Sequence, residues 1–293
     1  MNNIQKIIIF SFVGIVFGSC NKHDITGYVP AVNDINNRTA LEYAYECENE
    51  LGPLPRFSCS DAIEVPTTKN GVPVSFPQGE EGSGSTNPND CDYPWAFGMA
   101  CQTGNKIGRY AGLNLDGSEN SDVVFITFCR DGGLGVIGYK YSTGQTCFFS
   151  IKDGYNPNNP PKPGENGYNN AWMSPRVVAD DKCMNCHMAS PFLHTPAVNQ
   201  LYNPNNLSEL LVPMTGNNPY SIIGAEFQQP FTSEIQNSCT SCHRPQCTQH
   251  FENYPLDELI MPPPFQNATD FDHSSISNAD RQAIRNWCNT LNL

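Results

Sequence analysis

Two short cysteine–histidine motifs are the residues of this chain with the clearest chemical potential. One occupies residues 183–187 (CMNCH) and the other residues 239–243 (CTSCH), so both have the form C-x-x-C-H. Two thiols at this spacing can each add to one vinyl group of the same porphyrin, and the adjacent histidine can then bind the iron. The motifs therefore predict two covalent c-type haems. Their predicted attachment and proximal residues are Cys183, Cys186, His187, Cys239, Cys242 and His243.

Two other chemistries use paired cysteines and remain alternatives. Structural zinc sites are built from C-x-x-C pairs, and thioredoxin-like redox centres use a single pair. Haem is favoured over both because each pair here is followed directly by a histidine. Zinc thiolate sites also suit reducing compartments, whereas the beginning of this chain predicts export.

The region around the first motif offers several residues that could complete a haem site. His194 lies in a proline-flanked segment seven residues after His187. It is predicted to act as an iron ligand of this haem or its neighbour, with hydrogen bonding to a propionate or a surface position as alternatives. Met214 is another distal candidate, although core packing suits it better. Trp172 and Arg176 could contact a porphyrin, or could equally be a core tryptophan and a surface arginine.

Residues 233–291 resemble the last part of the class I cytochrome c fold. The resemblance rests on the second C-x-x-C-H motif, on Met261 followed by three prolines, and on a helix signal from Ser277 to Trp287. In that family a Met-Pro loop supplies the distal thioether, and a final helix packs an aromatic residue near the haem edge. The resemblance implies that Met261 is the sixth ligand of the second haem.

The match to the class I pattern is shorter than the family norm. Only 17 residues separate His243 from Met261. His250 and His273 are therefore competitors for the distal position of the second haem, and a buried loop position without any haem contact is the alternative for Met261.

The beginning of the chain predicts export and lipid attachment. Residues 1–19 combine Lys6 in a short polar region with an apolar run that is too short to span a membrane, which takes about 20 residues. Residues 17–20 (FGSC) resemble a bacterial lipobox, with phenylalanine where leucine is common. The resemblance implies a lipid on Cys20 and an anchor at the periplasmic or outer-membrane surface of the cell envelope. An ordinary secretory signal peptide is the alternative.

The cysteine count agrees with an oxidising compartment. The chain has 13 cysteines, and one for lipid plus four for haem leaves eight that can form four disulfides. Proximity along the chain predicts the pairs Cys47–Cys59, Cys91–Cys101, Cys129–Cys147 and Cys247–Cys288.

Composition divides the mature chain into a tether and two folded regions. Residues 20–40 are a polar tether, residues 41–153 a β-rich domain, residues 154–170 a Pro/Asn/Gly linker and residues 171–293 the di-haem region. A β-meander is predicted from strands at 123–128, 135–141 and 147–151, with turns between them. The expected fold class is α+β multidomain, with a disulfide-rich β domain first and a mainly α-helical, loop-rich cytochrome c-like domain second.

Charge and motif content together favour electron transfer at a membrane surface. The formal net charge of −13 at pH 7 argues against nucleic acid as a partner and suits a basic redox protein. One alternative is a haem enzyme such as a peroxidase-like oxidoreductase, for which Glu226 or Glu234 could serve as acid–base group. Another is a ligand-binding β domain with a haem outlet, lined by aromatic residues such as Trp95, Phe97, Tyr139 and Phe148.

Overall fold

A six-stranded sheet is the main element of the structure. The computed structural model describes residues 37–76, 84–85, 87–95, 101–181, 187, 190–215 and 218–230, together with residues 283 and 286. The described strands are β1 (Ile63–Glu64), β2 (Thr68–Lys69), β3 (Val72–Pro73), β4 (Lys106–Leu113), β5 (Glu119–Arg130), β6 (Gly133–Lys140), β7 (Gln145–Ser150), β8 (Tyr202–Asn203), β9 (Asn206–Leu210) and β10 (Ser221–Ile222). The described helices are α1 (Ala40–Leu51), α2 (Tyr168–Ala171), α3 (Pro175–Asp180) and α4 (Pro196–Asn199).

The strand order in the sheet is β1-β4-β5-β6-β7-β10. Strands β4 to β7 are antiparallel neighbours, β1 pairs antiparallel with β4, and β10 pairs parallel with β7. The predicted β-meander is confirmed, because its three strands overlap β5, β6 and β7. Strand β4 was not predicted.

The turn between β5 and β6 has a clear local cause. Arg130 pairs with Gly133, which leaves Asp131 and Gly132 as a two-residue loop. Both loop residues have positive φ, 49° at Asp131 and 79° at Gly132. Two-residue hairpins of this kind match the right-handed twist of the strands, and Asp-Gly is a favoured sequence for them. The turn predicted at this position is confirmed.

Helix α1 begins at a capping box and packs on the sheet. The hydroxyl of Thr39 accepts a hydrogen bond from the Glu42 backbone N–H (3.2 Å), and the Glu42 carboxylate accepts one from the Thr39 N–H (2.8 Å). On the buried face, the Tyr43 hydroxyl accepts a hydrogen bond from the Phe148 N–H of β7 (3.1 Å). Burial raises the pKa of Tyr43. The helix is thereby fixed to β7.

Both faces of the sheet are buried, because alternate residues of β5 point to opposite sides and both sets are apolar. Phe125 belongs to the cluster on one face and Ile126 to the cluster on the other. The first-face cluster includes Tyr43, Cys47, Leu51, Phe125, Leu134, Val136, Trp172 and Val178. The second-face cluster contains Val65, Ile107, Val124, Ile126, Tyr139, Phe192, Ala197, Val198, Leu201, Leu211 and Val212. The segment 192–212 therefore covers the second face.

Three disulfides lie within the described residues. They join Cys47 to Cys147, Cys59 to Cys129 and Cys91 to Cys101. The predicted pair Cys91–Cys101 is confirmed, whereas Cys47–Cys59 and Cys129–Cys147 are wrong. The reason is that the sheet brings distant segments together, so that α1 is linked to β7 and the loop at residue 59 to β5. The predicted pair Cys247–Cys288 lies outside the described residues.

The predicted fold class is contradicted by the described residues. Residues 171–230 were expected to begin a mainly α-helical domain, but their helices are short and β8, β9 and β10 lie among them. Prolines open α3 and α4, and a segment rich in Pro, Asn and Gly cannot sustain long helices. The described part of the chain is mostly β-structure, stapled by disulfides.

The segments on both sides of the predicted linker share one core. Trp172 and Val178, which follow residues 154–170, belong to the first-face cluster together with residues of α1 and β5. The backbone N–H of Cys59 donates to the Pro157 carbonyl (3.0 Å), and the Trp172 indole donates to the Pro161 carbonyl (2.9 Å). None of the described helices is both long and apolar enough to cross a membrane. The predicted signal peptide and Cys20 lie outside the described residues.

Loss of the long-range disulfides is expected to destabilise the chain more than loss of the local one. Cys47→Ala/Cys147→Ala opens a cross-link between positions 100 residues apart, against 10 for Cys91→Ala/Cys101→Ala. Loop-closure entropy predicts a loss of about 4–5 kcal/mol for the first pair and roughly 2–3 kcal/mol for the second. Urea unfolding of the full chain measures both. A non-reducing peptide map that links Cys47 to Cys59 would contradict this assignment.

Two glycines of β6 are expected to respond differently to alanine. A Cβ at Gly138 would meet Phe125 at 2.5 Å and Leu51 at 2.9 Å, whereas a Cβ at Gly135 meets only backbone oxygens at 3.9 Å or more. Gly138→Ala should therefore destabilise the chain by about 1–3 kcal/mol through overpacking. Gly135→Ala should change stability by less than about 0.5 kcal/mol. Thermal unfolding compares the two, and equal losses would show that the packing at Gly138 is not as described.

Candidate functional site

His187 is the residue of the two C-x-x-C-H motifs that lies within the described part of the chain. Its ring packs against Phe148 of β7, with ring centroids 5.5 Å apart. The Tyr220 hydroxyl, just before β10, donates a hydrogen bond to the backbone carbonyl of His187 (2.6 Å). The histidine is thus held between β7 and the chain that leads into β10, so the sheet positions it directly.

The environment of the His187 ring selects one protonation state. The Nδ1 atom lies 2.9 Å from the Pro191 carbonyl, and because a carbonyl can only accept, Nδ1 must carry the hydrogen. Burial lowers the pKa of His187 to about 4, against the opposing effect of hydrogen bonds with the backbone of Pro191 and Ser190. The imidazole is therefore neutral at pH 7 and has its electron pair on Nε2. That is the form in which histidine binds transition metals, with its other nitrogen oriented by a carbonyl.

A cavity of about 480 Å³ lies beside His187, between the second face of the sheet and the segment that covers it. Its volume falls within the range of pockets that bind small molecules and cofactors. The wall from the strands comprises Ile107, Ile126, Phe128, Gly135, Ile137 and Phe148, and the wall from the covering segment comprises Phe192, Leu193, Val198 and Val212. The cavity is therefore mainly apolar. Among its described lining residues, His187 is the one imidazole.

Charged and aromatic side chains mark where the cavity reaches solvent. Arg130 and Asp181 line it, as does Phe128, which is 37% exposed. Trp95 packs edge-on against Phe128, with ring centroids 5.7 Å apart. The Arg130 guanidinium donates to the Asp131 carboxylate at 3.0 Å, and its side chain is about two-fifths exposed. The cavity thus combines an apolar interior with a polar rim.

His194 lies near this cavity but does not line it. Its Nδ1 is 2.8 Å from the Asn199 side-chain oxygen, while its Nε2 and the Asn199 side-chain nitrogen are buried without hydrogen-bond partners among the described residues. Burial lowers the pKa of His194, against the opposing effect of the hydrogen bond with Asn199. This arrangement is compatible with a structural hydrogen-bonding role and with a free electron pair on Nε2, and iron ligation by His194 stays a prediction.

The other residues singled out in the sequence have mixed outcomes. Trp172 is a core residue that stacks on Tyr168 (5.9 Å between centroids), and Arg176 pairs with Asp180 at 3.8 Å. Trp95 and Phe148 line the cavity, while Tyr139 is fully buried in the second-face cluster. The following predicted residues lie outside the described part: Cys20, Phe97, Cys183, Cys186, Glu234, Cys239, Cys242, His243, His250, Met261 and His273.

The contribution of the sheet to the site was not predicted from the sequence. Its wall residues come from strands that are distant along the chain from residues 183–187. The one local signal is Gly135, because glycine inside a strand often marks the close approach of a ligand or another backbone. Among the described residues, no group of three or more His, Cys, Asp and Glu side chains is arranged to hold a metal ion. His187 is a candidate ligand on other grounds, namely its Nδ1 contact with the Pro191 carbonyl and its place in the cavity lining.

Comparison with known proteins gives no close relative. No protein-family model matches the chain, no curated protein is similar to it, and no solved structure matches its fold. The chemistry of the site must therefore be inferred from its own residues.

The hydrogen bond from Tyr220 is expected to stabilise the position of His187. Tyr220→Phe removes the donor to the His187 carbonyl but keeps the ring. We expect a loss of about 0.5–1.5 kcal/mol in the free energy of unfolding, the usual net value of a hydrogen bond. Tyr155→Phe is the matched control, because Tyr155 is 40% exposed. Urea unfolding curves of the two variants give the comparison, and equal stability would indicate that the Tyr220 hydroxyl contributes nothing.

Proposed function

We propose that this chain is an exported, lipid-anchored c-type cytochrome that transfers electrons through two covalent haems. The attachment residues are those of the two C-x-x-C-H motifs, at 183–187 and 239–243. The observation that carries the proposal is the state of His187, a neutral imidazole with its electron pair on Nε2 at the wall of an apolar cavity. This is the arrangement that an axial histidine of a haem iron needs.

The residues around His187 fit a haem better than they fit zinc. A structural zinc site would require four Cys, His or carboxylate ligands in a tetrahedron. The described surroundings of His187 are instead apolar, with Phe148 against its ring and an adjoining cavity of about 480 Å³. Haem supplies a one-electron redox centre when bound. The role of this chain is then to hold the imidazole, exclude water from the cavity and keep one face of the site rigid.

Electron transfer is favoured over peroxidase-like catalysis by the position of one acidic residue. Peroxide chemistry needs an acid–base group close to an open iron position. Glu226 was the described candidate, but its carboxylate accepts a hydrogen bond from Arg38 (2.6 Å) and its side chain is only 1% exposed. The next residue, Phe227, belongs to the first-face cluster. Glu226 is not among the described residues that line the His187 cavity.

The cellular setting follows from the same proposal. Disulfide bonds form and persist in oxidising compartments, and three are described in this chain. A lipid on Cys20 would hold the protein at the periplasmic or outer-membrane surface of the cell envelope. The formal net charge of −13 favours a basic redox protein as partner, because opposite charge accelerates encounter.

Removal of each cysteine pair should remove one haem. After expression with a c-type haem maturation system, the parent chain is expected to carry two haems. Cys183→Ser/Cys186→Ser and Cys239→Ser/Cys242→Ser should each carry one. The matched control is Cys91→Ser/Cys101→Ser, which also removes two cysteines but should retain both haems, since these form a disulfide. Intact mass and the pyridine haemochrome spectrum give the count. A parent chain without covalent haem would refute the proposal and favour zinc.

The response to carbon monoxide separates an electron carrier from a haem enzyme. If both irons are six-coordinate, carbon monoxide should leave the dithionite-reduced spectrum of the parent chain unchanged. A spectral shift in about half of the haem would reveal an open iron position and would favour the enzyme over the carrier. The single-haem variants described above would then identify which haem is open.

A further inference from the structure

The cavity beside His187 owes most of its interior to the sheet rather than to the segment that carries the motif. Strand β5 contributes Ile126 and β6 contributes Gly135 and Ile137, while Phe192 and Val198 face them from the covering segment. These residues belong to the second face, opposite α1. The β-meander and the His187 motif therefore form one site, although more than 30 residues separate β7 from His187 along the chain.

Gly135 is the residue that keeps the sheet side of the cavity open. It lies inside β6, paired with Phe128 and Ser150, where a side chain would be expected. A Cβ at this position would have only the carbonyl oxygens of Phe128 and Phe149 nearby, at 3.9 and 4.0 Å. The neighbouring space is thus free for a bound group. A flat ligand can approach the strand closely at a glycine, where another residue would hold it away.

The distribution of polarity in the cavity matches that of a porphyrin. A porphyrin has an apolar ring and two carboxylates, and the burial of an ionised carboxylate without a partner is very unfavourable. The ring therefore requires the apolar interior, and the carboxylates require the rim. Arg130 is the one cationic side chain among the described lining residues, partly exposed and paired with Asp131, and Asp181 is the one carboxylate among them. Charge-assisted hydrogen bonds from arginine to carboxylates are strong.

We propose that the haem of residues 183–187 packs against the second face of the sheet, with its ring over Gly135 and its propionates at the rim near Arg130. This inference rests on the proposed function and adds to it the position of the porphyrin relative to the sheet. The β-meander is then the apolar wall of a haem site instead of a separate ligand-binding domain. Exclusion of water by this wall raises the reduction potential, because solvent favours the more highly charged oxidised iron site.

The test uses the full chain with a single haem. Cys239→Ser/Cys242→Ser leaves the first motif intact, so one midpoint potential and one Soret circular dichroism signal can be measured. In this background, Gly135→Phe fills the cavity from the sheet side. Leu115→Phe is the control, because it adds an aromatic ring at a turn residue that is 79% exposed. Gly135→Val repeats the test with a smaller side chain if Gly135→Phe does not accumulate.

We expect Gly135→Phe to lower the midpoint potential and to reduce the Soret signal by about half or more, with Leu115→Phe unchanged. Arg130→Gln should lower the same potential, because a nearby cation favours the reduced haem; an unchanged value would overturn the placement of the propionates. If Gly135→Phe carries haem normally and has the same potential and Soret signal as Leu115→Phe, the placement of the ring is overturned. The proposed function would still stand. No haem in the background chain itself would overturn the proposed function.

Discussion

The structure depends on the burial of both faces of the β5–β6–β7 meander. Apolar residues at successive positions of β5, such as Phe125 and Ile126, cannot all face one side, since neighbouring side chains of a strand point in opposite directions. Each face must therefore be covered. Helix α1 covers the first face, and the segment 192–212 returns to cover the second. The cavity beside His187 lies between this second layer and the sheet, and Gly135 contributes no side chain to fill it.

Local features of this fold could be predicted from the sequence, and long-range ones could not. The meander was predicted because its strands are rich in β-branched and aromatic residues and its turns contain glycine. Helix α1 was missed, although Thr39 and Glu42 form the pattern of a capping box. The two long-range disulfides were missed because proximity along the chain says nothing about which segments the sheet aligns. The mainly helical second domain was wrong because short proline-initiated helices and returning strands fill that part of the chain.

In the candidate site, too, the local features could be predicted from the sequence and the long-range ones could not. The motif at 183–187 is visible in five consecutive residues, because the spacing that covalent haem attachment would require is entirely local. The surroundings of His187 could not be predicted, since Phe148 packs against its ring, and Gly135 joins the same cavity, only after the sheet has formed. The Pro191 carbonyl is close to His187 in the sequence, yet its role could not be predicted. It lies four residues after His187, but a backbone carbonyl that accepts from an imidazole leaves no side-chain signal in the sequence.

Rigidity is the property that connects the fold to the proposed chemistry. Electron transfer is fastest when the cofactor surroundings change little between oxidation states, so a stiff wall is useful even without a catalytic group. In this chain the wall strands are cross-linked behind the cavity, since Cys59–Cys129 ties β5 to the loop at residue 59 and Cys47–Cys147 ties β7 to α1. The hydrogen bond from the Phe148 N–H to Tyr43 adds a third link from the strand that contacts His187. The disulfides on the first face therefore stiffen the strands that line the cavity, and a sheet held in this way would suit the proposed haem, whose iron ligand it does not itself carry.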